Sequence, residues 1–229
     1  MGINGALPAD SAVSIGAAGK LQLGAGIGLA AMSSLSIAAG GILDVENNHI
    51  ILSYGAIDPA STIYALLQSG YNGGSWNGPG IDSSTAALPA NNTRYGLGYA
   101  DGADGIVTGL SSGQIEIKYT LLGDVDLDGS VTGSDFTILA SNLGKEVNGW
   151  DQGDFQYTGA VTGSDFTALA QNLGKSASGA DLVLPASDYA AIDAFAAENG
   201  LMADVPEPAS AGFLLAAGLG FMARRRRTA

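Results

Sequence analysis

The feature that most constrains this 229-residue chain is an internal duplication. Val131–Lys145 recurs as Val161–Lys175 at an offset of 30, with thirteen of fifteen positions identical. Duplication at that level means two copies of one structural unit. Upstream of the first copy, Asp124, Asp126 and Asp128 occupy alternate positions, Gly129 follows, and Asp135 stands twelfth from Asp124. This is a loop-helix layout built for a hard cation. Alternate carboxylates on a tightly wound loop converge on one point, and Gly129 permits the sharp turn. The Ser130 carbonyl supplies a further oxygen, Thr132 sits where ligation often runs through water, and Asp135 closes the site. Calcium, which accepts six to eight oxygens, is the expected ion. A solvated acidic turn is the alternative.

In the second copy Asp154 and Asp165 keep the first and twelfth places and Gly159 keeps the turn. Gln156 and Thr158 replace the two intervening aspartates, and Ala160 and Thr162 fill the seventh and ninth places. Two carboxylates are lost, so this loop is expected to bind calcium weakly or to serve structure only, with Asp151 just upstream compensating in part. After each loop an apolar face follows at helical spacing: Phe136, Leu139, Ala140, Leu143, and then Phe166, Leu169, Ala170, Leu173. Gly144 and Gly174 stop the helices. Aspartate in the twelfth place, one helix per loop and a tandem repeat resemble the type I dockerin family. The resemblance implies ligand roles for Asp124, Asp126, Asp128, Ser130, Thr132 and Asp135, and a cohesin-like partner held at the helix starts. Those starts are Gly133-Ser134 and Gly163-Ser164 here, small residues with little to grip.

Ahead of this unit, Ser14–Leu23 matches Ser36–Val45 at five of ten positions, 22 residues apart. Each copy is an apolar pair, a small-residue turn and an alternating apolar strand, which suits one coil of a β-solenoid; the edge of a β-sandwich is the alternative. Val45 to Leu52 reads as a strand interrupted by an Asn47-Asn48 turn, with His49 solvated at that turn. Asp58 caps a helix with Pro59 in its first position, buries Ile63, Leu66 and Leu67, and ends at Gly70. Trp76, in the glycine-rich Tyr71–Gly80 loop, either plugs the end of the solenoid or offers a sugar-stacking platform. Gln114 to Leu121 is a strand. The segments LDVENNHIILSYG, ALLQSGYNGGSWNGPGIDSSTAA and YGLGYADG resemble the closing part of passengers built from autotransporter-associated β-strand repeats. That family implies a β-solenoid scaffold and no catalytic residues.

The C-terminus has three parts: Pro206-Glu207-Pro208, fifteen small and apolar residues from Ala209 to Ala223, and Arg224, Arg225, Arg226 and Arg227. The layout resembles the PEP-CTERM signal handled by an exosortase. A run of fifteen is short for a span of about twenty, which suits a transient membrane anchor; a plain tail anchor is the alternative. A helix from Ser187 to about Asn199, stopped by Gly200, precedes it as a spacer.

Charge narrows the partners. The net charge is −13, and without the four terminal arginines it is −17. Such a body repels phosphate backbones, so nucleic acid is excluded as a partner. No cysteine is present and His49 is the single histidine, which removes thiolate chemistry and leaves little room for a zinc site or a His-based triad. Met1–Gly5 has no basic region followed by an apolar stretch, so the chain is expected to be part of something longer.

The expected architecture is a mainly β N-terminal part forming a solenoid end (residues 1–121), a small α loop-helix pair (122–176), a spacer helix (177–204) and a C-terminal hydrophobic helix within the sorting signal (205–229). The expected function is that of a non-enzymatic secreted or cell-surface structural or adhesion protein, sorted to the envelope or the extracellular polysaccharide matrix. The alternatives are the non-catalytic end of a polysaccharide-degrading enzyme and a cohesin-docking module.

Overall fold

The computed structural model describes residues 2–3, 7–8 and 10–202. The chain runs through β1 (Gly2–Ile3), β2 (Ser11–Ile15), β3 (Lys20–Leu23), β4 (Leu29–Ile37), β5 (Ile42–Asp44) and β6 (His49–Ser53). Then come α1 (Ala60–Tyr71), β7 (Gly80–Asp82), β8 (Tyr95–Asp101), β9 (Gln114–Leu121), α2 (Gly133–Asn142), α3 (Gly163–Asn172) and α4 (Ala186–Asn199). The architecture is mixed α/β, with strands in two sheets.

Successive strands alternate between the sheets. One is parallel throughout in the order β1-β3-β5-β7; the other runs β2-β4-β6-β9-β8. Ile15 pairs with Ile37 and Lys20 with Ile42, so β2 and β4, and β3 and β5, are offset by the 22 residues of the repeat. The small-residue turn recurs with the same bond, Gly19 N–H to Gly16 O (2.9 Å) and Gly41 N–H to Ala38 O (2.8 Å). A Cβ on Gly41 would lie 2.9 Å from Gly16 O, so the stacked turns require glycine there. Between the sheets Leu23, Met32, Leu43, Ile50, Leu52 and Ile81 are buried, each carrying about 1.5–3 kcal/mol of apolar transfer. Asn48 serves the corner: its side-chain amide donates to Gly24 O (2.9 Å) and Val45 O (2.8 Å) and accepts from Gly28 N–H (3.1 Å).

β9 covers the open edge of β6 in antiparallel register, Ile50 opposite Ile117, and β8 flanks it. Strand β9 spans the residues its alternation predicts. His49 departs from expectation: it is the first residue of β6, half-buried, with Nε2 2.9 Å from Glu116 Oε1. Parallel pairing with β4 begins at Leu29↔His49, which draws the imidazole out of the turn.

Helix α1 also corrects the sequence reading at both ends. Asp58 Oδ1 accepts from Ala60 N–H (2.8 Å), but Pro59 is the N-cap rather than the first helical residue. Gly70 lies inside the helix, and Asn72 in the left-handed conformation ends it. Gly70 is needed for a different reason. A Cβ there would sit 1.8 Å from Ile81 O, where α1 crosses β7. Trp76 is buried against Tyr71 (5.2 Å) and Tyr157 (6.2 Å), a packing role that withdraws it from any stacking platform.

Helix α4 ends at left-handed Gly200 as expected, and it starts one residue before Ser187, from Pro185 with no side-chain cap. It is more than a spacer: Phe195 packs on Phe136 (5.3 Å) and Phe166 (5.7 Å), across the loop-helix pair. Among the described residues no helix is long and apolar enough to cross a membrane. The expected apolar segment Ala209 to Ala223 lies outside them.

Candidate metal centre

The two loops share one backbone. Gly129 N–H reaches Asp124 Oδ2 at 3.0 Å and Gly159 N–H reaches Asp154 Oδ2 at 2.9 Å. Leu127 (φ 56°) and Tyr157 (φ 53°) are both left-handed, as are Gly129 (φ 93°) and Gly159 (φ 85°). The copies also clasp each other: Val131 N–H donates to Lys175 O (2.9 Å) and Val161 N–H to Lys145 O (3.0 Å). Gly123 and Gly153 lie reciprocally against Leu169 and Leu139, with no room for a side chain at the first. Thr132 and Thr162 begin α2 and α3 with capping boxes completed by Asp135 and Asp165.

In loop 1 the oxygens of Asp124, Asp126 and Asp128 lie within 4.8 Å of one another, the one such acidic trio among the described residues. Asp124 is fully buried and Asp128 is exposed at the mouth. Asp128 N–H donates to Asp126 Oδ1 (3.2 Å) and Ser130 N–H to Asp128 Oδ1 (2.7 Å), which holds the carboxylates to the loop. Thr120 Oγ1 donates to Asp124 Oδ2. Asp124 Oδ1, however, is buried with no hydrogen-bond partner. Burial, with repulsion from Asp135, pushes Asp124 up to about 7 against the Thr120 hydrogen bond. Burial and then Asp128 push Asp126 upward. An unpartnered buried acceptor and crowded like charges are what a cation in the loop would relieve. The trio fits a hard dication.

Asp135 stands apart from the trio. Its Oδ1 accepts from Val125 N–H (2.7 Å) and Asp126 N–H (3.3 Å), and Oδ2 from Thr132 N–H (2.8 Å). A carboxylate offers about four lone-pair sites, so backbone capping uses most of its capacity. Burial, then Asp126, raise it to about 6. Ser130 and Thr132 are half-buried along the same loop.

Loop 2 is closed by protein. Asp154 Oδ1 accepts from Thr158 N–H (2.9 Å), and Oδ2 from Gly159 N–H (2.9 Å) and from the Tyr64 hydroxyl (2.8 Å) of α1. Thr158 Oγ1 donates to Ala160 O (3.0 Å), Asp165 accepts from Phe155 N–H (2.9 Å) and Thr162 N–H (2.9 Å), and Gln156 stays half-buried at the surface. Next to it Tyr157 is enclosed by Tyr64 (5.5 Å) and Tyr71 (5.8 Å), with its hydroxyl on Leu97 O (2.5 Å). Loop 2 thus anchors the pair to the β body. Asp151 does not compensate there. It faces Asp104 across a separate cavity, because buried Trp150 fixes the turn, its Nε1 donating to Asp124 O (2.7 Å).

The structure also pairs two acids that the sequence leaves unpaired. Asp44 and Asp82 are neighbours in register on β5 and β7, both buried. Asp44 is taken up by Glu46 N–H (3.1 Å), Ser84 N–H (2.9 Å) and Lys20 Nζ (2.8 Å). Burial, then Asp44, push Asp82 up to about 7. The helix inserted between the strands hides this pair from a search at the 22-residue period.

Residues 204–227 match the family model described as the PEP-CTERM protein-sorting motif. The motif implies processing by an exosortase and a secreted or envelope-surface location. Pro206, Glu207, Pro208 and Arg224 to Arg227 fall within the match and outside the described residues. No curated protein and no solved structure matches the chain.

Proposed function

We propose that the chain is a non-enzymatic structural or adhesion protein of the cell surface or extracellular polysaccharide matrix. In this reading a dockerin-like calcium module is fixed to the closing coils of a β-solenoid of the autotransporter-associated passenger kind. An exosortase processes the tail, and the mature body is acidic. The sorting match over residues 204–227 carries the location. The 22-residue offset of the parallel pairs β2–β4 and β3–β5 supports the solenoid. The unpartnered Asp124 Oδ1 amid three converging carboxylates supports calcium in loop 1. Calcium on so acidic a body bridges anionic polysaccharide.

Two alternatives rank lower for stated reasons. A polysaccharide-degrading role calls for a pair of free facing carboxylates. Asp44 and Asp82 face each other, but Asp44 is spent on backbone amides and Lys20. A cohesin partner calls for exposed helix starts. Of these starts Gly133 lies against Asp188 of α4 and Gly163 against Leu201, which a Cβ would meet at 2.8 Å and 3.0 Å, and the serines left exposed, Ser134 and Ser164, are small.

The test is calorimetric titration of calcium into the full chain and its D126N/D128N variant. A saturable event present in the parent chain and missing from the variant supports the module. Absence of binding in the parent chain removes calcium from the proposal and leaves the sorting signal. Binding of the protein to anionic polysaccharide, with and without calcium, tests the matrix role.

A further inference from the structure

A cavity of about 510 Å³ opens between the start of α1, the connection after β8 and the 3-10 turn Trp150–Gln152. Asp58, Asp101, Asp104 and Asp151 line it, and among the described residues no lysine or arginine does. Asp58 and Asp104 are exposed at the rim, whereas Asp151 is 1% exposed and Oδ2 has no hydrogen-bond partner. Asp151 cannot swing away. It follows Trp150, which is fully buried and bonded to Asp124 O, and its Oδ1 occupies the space a Cβ on Gly149 would need (2.2 Å). The rim acids are held as well: Asp101 Oδ1 accepts from the Tyr54 hydroxyl (3.1 Å) and Asp104 Oδ1 from Ile106 N–H (3.0 Å).

A buried carboxylate oxygen without a donor, facing further carboxylates in a cavity with no basic side chain, lacks a positive partner. We propose that this cavity is a second divalent-cation site, of the calcium class, with Asp151 and Asp104 as its carboxylate ligands. Asn148 and Gln152 also line the cavity, Gln152 Oε1 accepting from Asn148 N–H (3.1 Å) with a second lone pair left over, and water would complete the shell. An all-oxygen lining, part rigid and part on a surface loop, suits calcium's flexible geometry rather than a metal that prefers nitrogen or sulfur. Burial, then repulsion from Asp104, hold Asp151 above the usual carboxylate range, the strain that a dication between them would offset. The site joins α1, the β8–β9 connection and the loop-helix pair, and it stands whether or not loop 1 binds calcium.

The test uses the full chain, titrated with calcium by calorimetry, beside D126N/D128N and D104N/D151N. The expected result is one binding event that survives in D126N/D128N and disappears in D104N/D151N. Where loop 1 also binds, the parent chain shows two events and each variant removes its own. Where loop 1 does not bind, the single event is untouched by D126N/D128N. No calcium uptake by D126N/D128N, with native near-UV dichroism, overturns the proposal. So does a titration unchanged by D104N/D151N. D104N alone, at the exposed rim, covers a failure of D151N to fold: weaker binding is expected, and unchanged binding overturns the site.

Discussion

Asp124 and Asp154 hold the first position of the two copies, yet Asp154 has donors on both oxygens while Asp124 keeps Oδ1 free. On Oδ1 the difference is the Thr158 N–H (2.9 Å), and on Oδ2 the Tyr64 hydroxyl, 90 residues away in sequence, takes the place that Thr120 holds at Asp124. Together they give loop 2 protein donors in place of a cation. Tyr64→Phe removes one of these donors from a fully buried carboxylate and is expected to lower stability by about 1–3 kcal/mol, read by thermal denaturation, with calcium binding in loop 1 unchanged. Gly70→Ala places a methyl 1.8 Å from Ile81 O, closer than any non-bonded contact. A loss of about 3 kcal/mol or more is expected, seen as a lowered denaturation midpoint or loss of soluble protein.

Among the elements, α4 decides whether the loop-helix pair is bare or covered. Phe195 meets a phenylalanine from each copy, so Phe195→Ala is expected to cost about 2–3 kcal/mol and to speed hydrogen exchange in α2 and α3 before it does so in β9. The helices after the loops and strand β9 were legible because their apolar spacing is local and strict: Phe136 and Leu139 on one face, Ile115 and Ile117 on another. The stacked register was legible too, because Ser14–Leu23 and Ser36–Val45 repeat. Gly70 was misread as a stop because glycine marks both helix ends and close crossings, and which one applies depends on β7. Asp44 and Asp82 were left unpaired because α1 interrupts the period. In the metal centre, the trio of alternate aspartates was readable, whereas the backbone duties of Asp135 and the redirection of Asp151 depend on contacts that spacing does not encode.

Across the whole molecule, the buried acids tie stability to pH. Asp82 and Asp124 are raised to about 7, and Asp135 and Asp165 to about 6. For each, the folded state binds its proton more tightly than the unfolded chain, whose aspartates titrate near 3.8. The calcium-free protein is therefore expected to be most stable at the acid end of this window and to lose stability as pH rises from about 4 to about 7. Calcium at about 100 times its dissociation constant is expected to restore about 2.7 kcal/mol at pH 7. Melting curves at several pH values, with calcium and with chelator, check both statements. A flat chelator series would contradict the burial of these acids.

Residues 204–227 lie C-terminal to α4, so a pull applied through the sorting end reaches the strands only by way of the loop-helix pair. That pair is fastened sideways at several points: Tyr157 to Leu97 O, Gln68 to Tyr157 O, Tyr64 to Asp154 Oδ2 and Asn172 to Arg94 O. Fasteners set side by side share a load, whereas a row of them opens one at a time. An ion in loop 1 would add one more rung to that set, at the point where the chain leaves β9, and so set how much tension the joint bears before it shears.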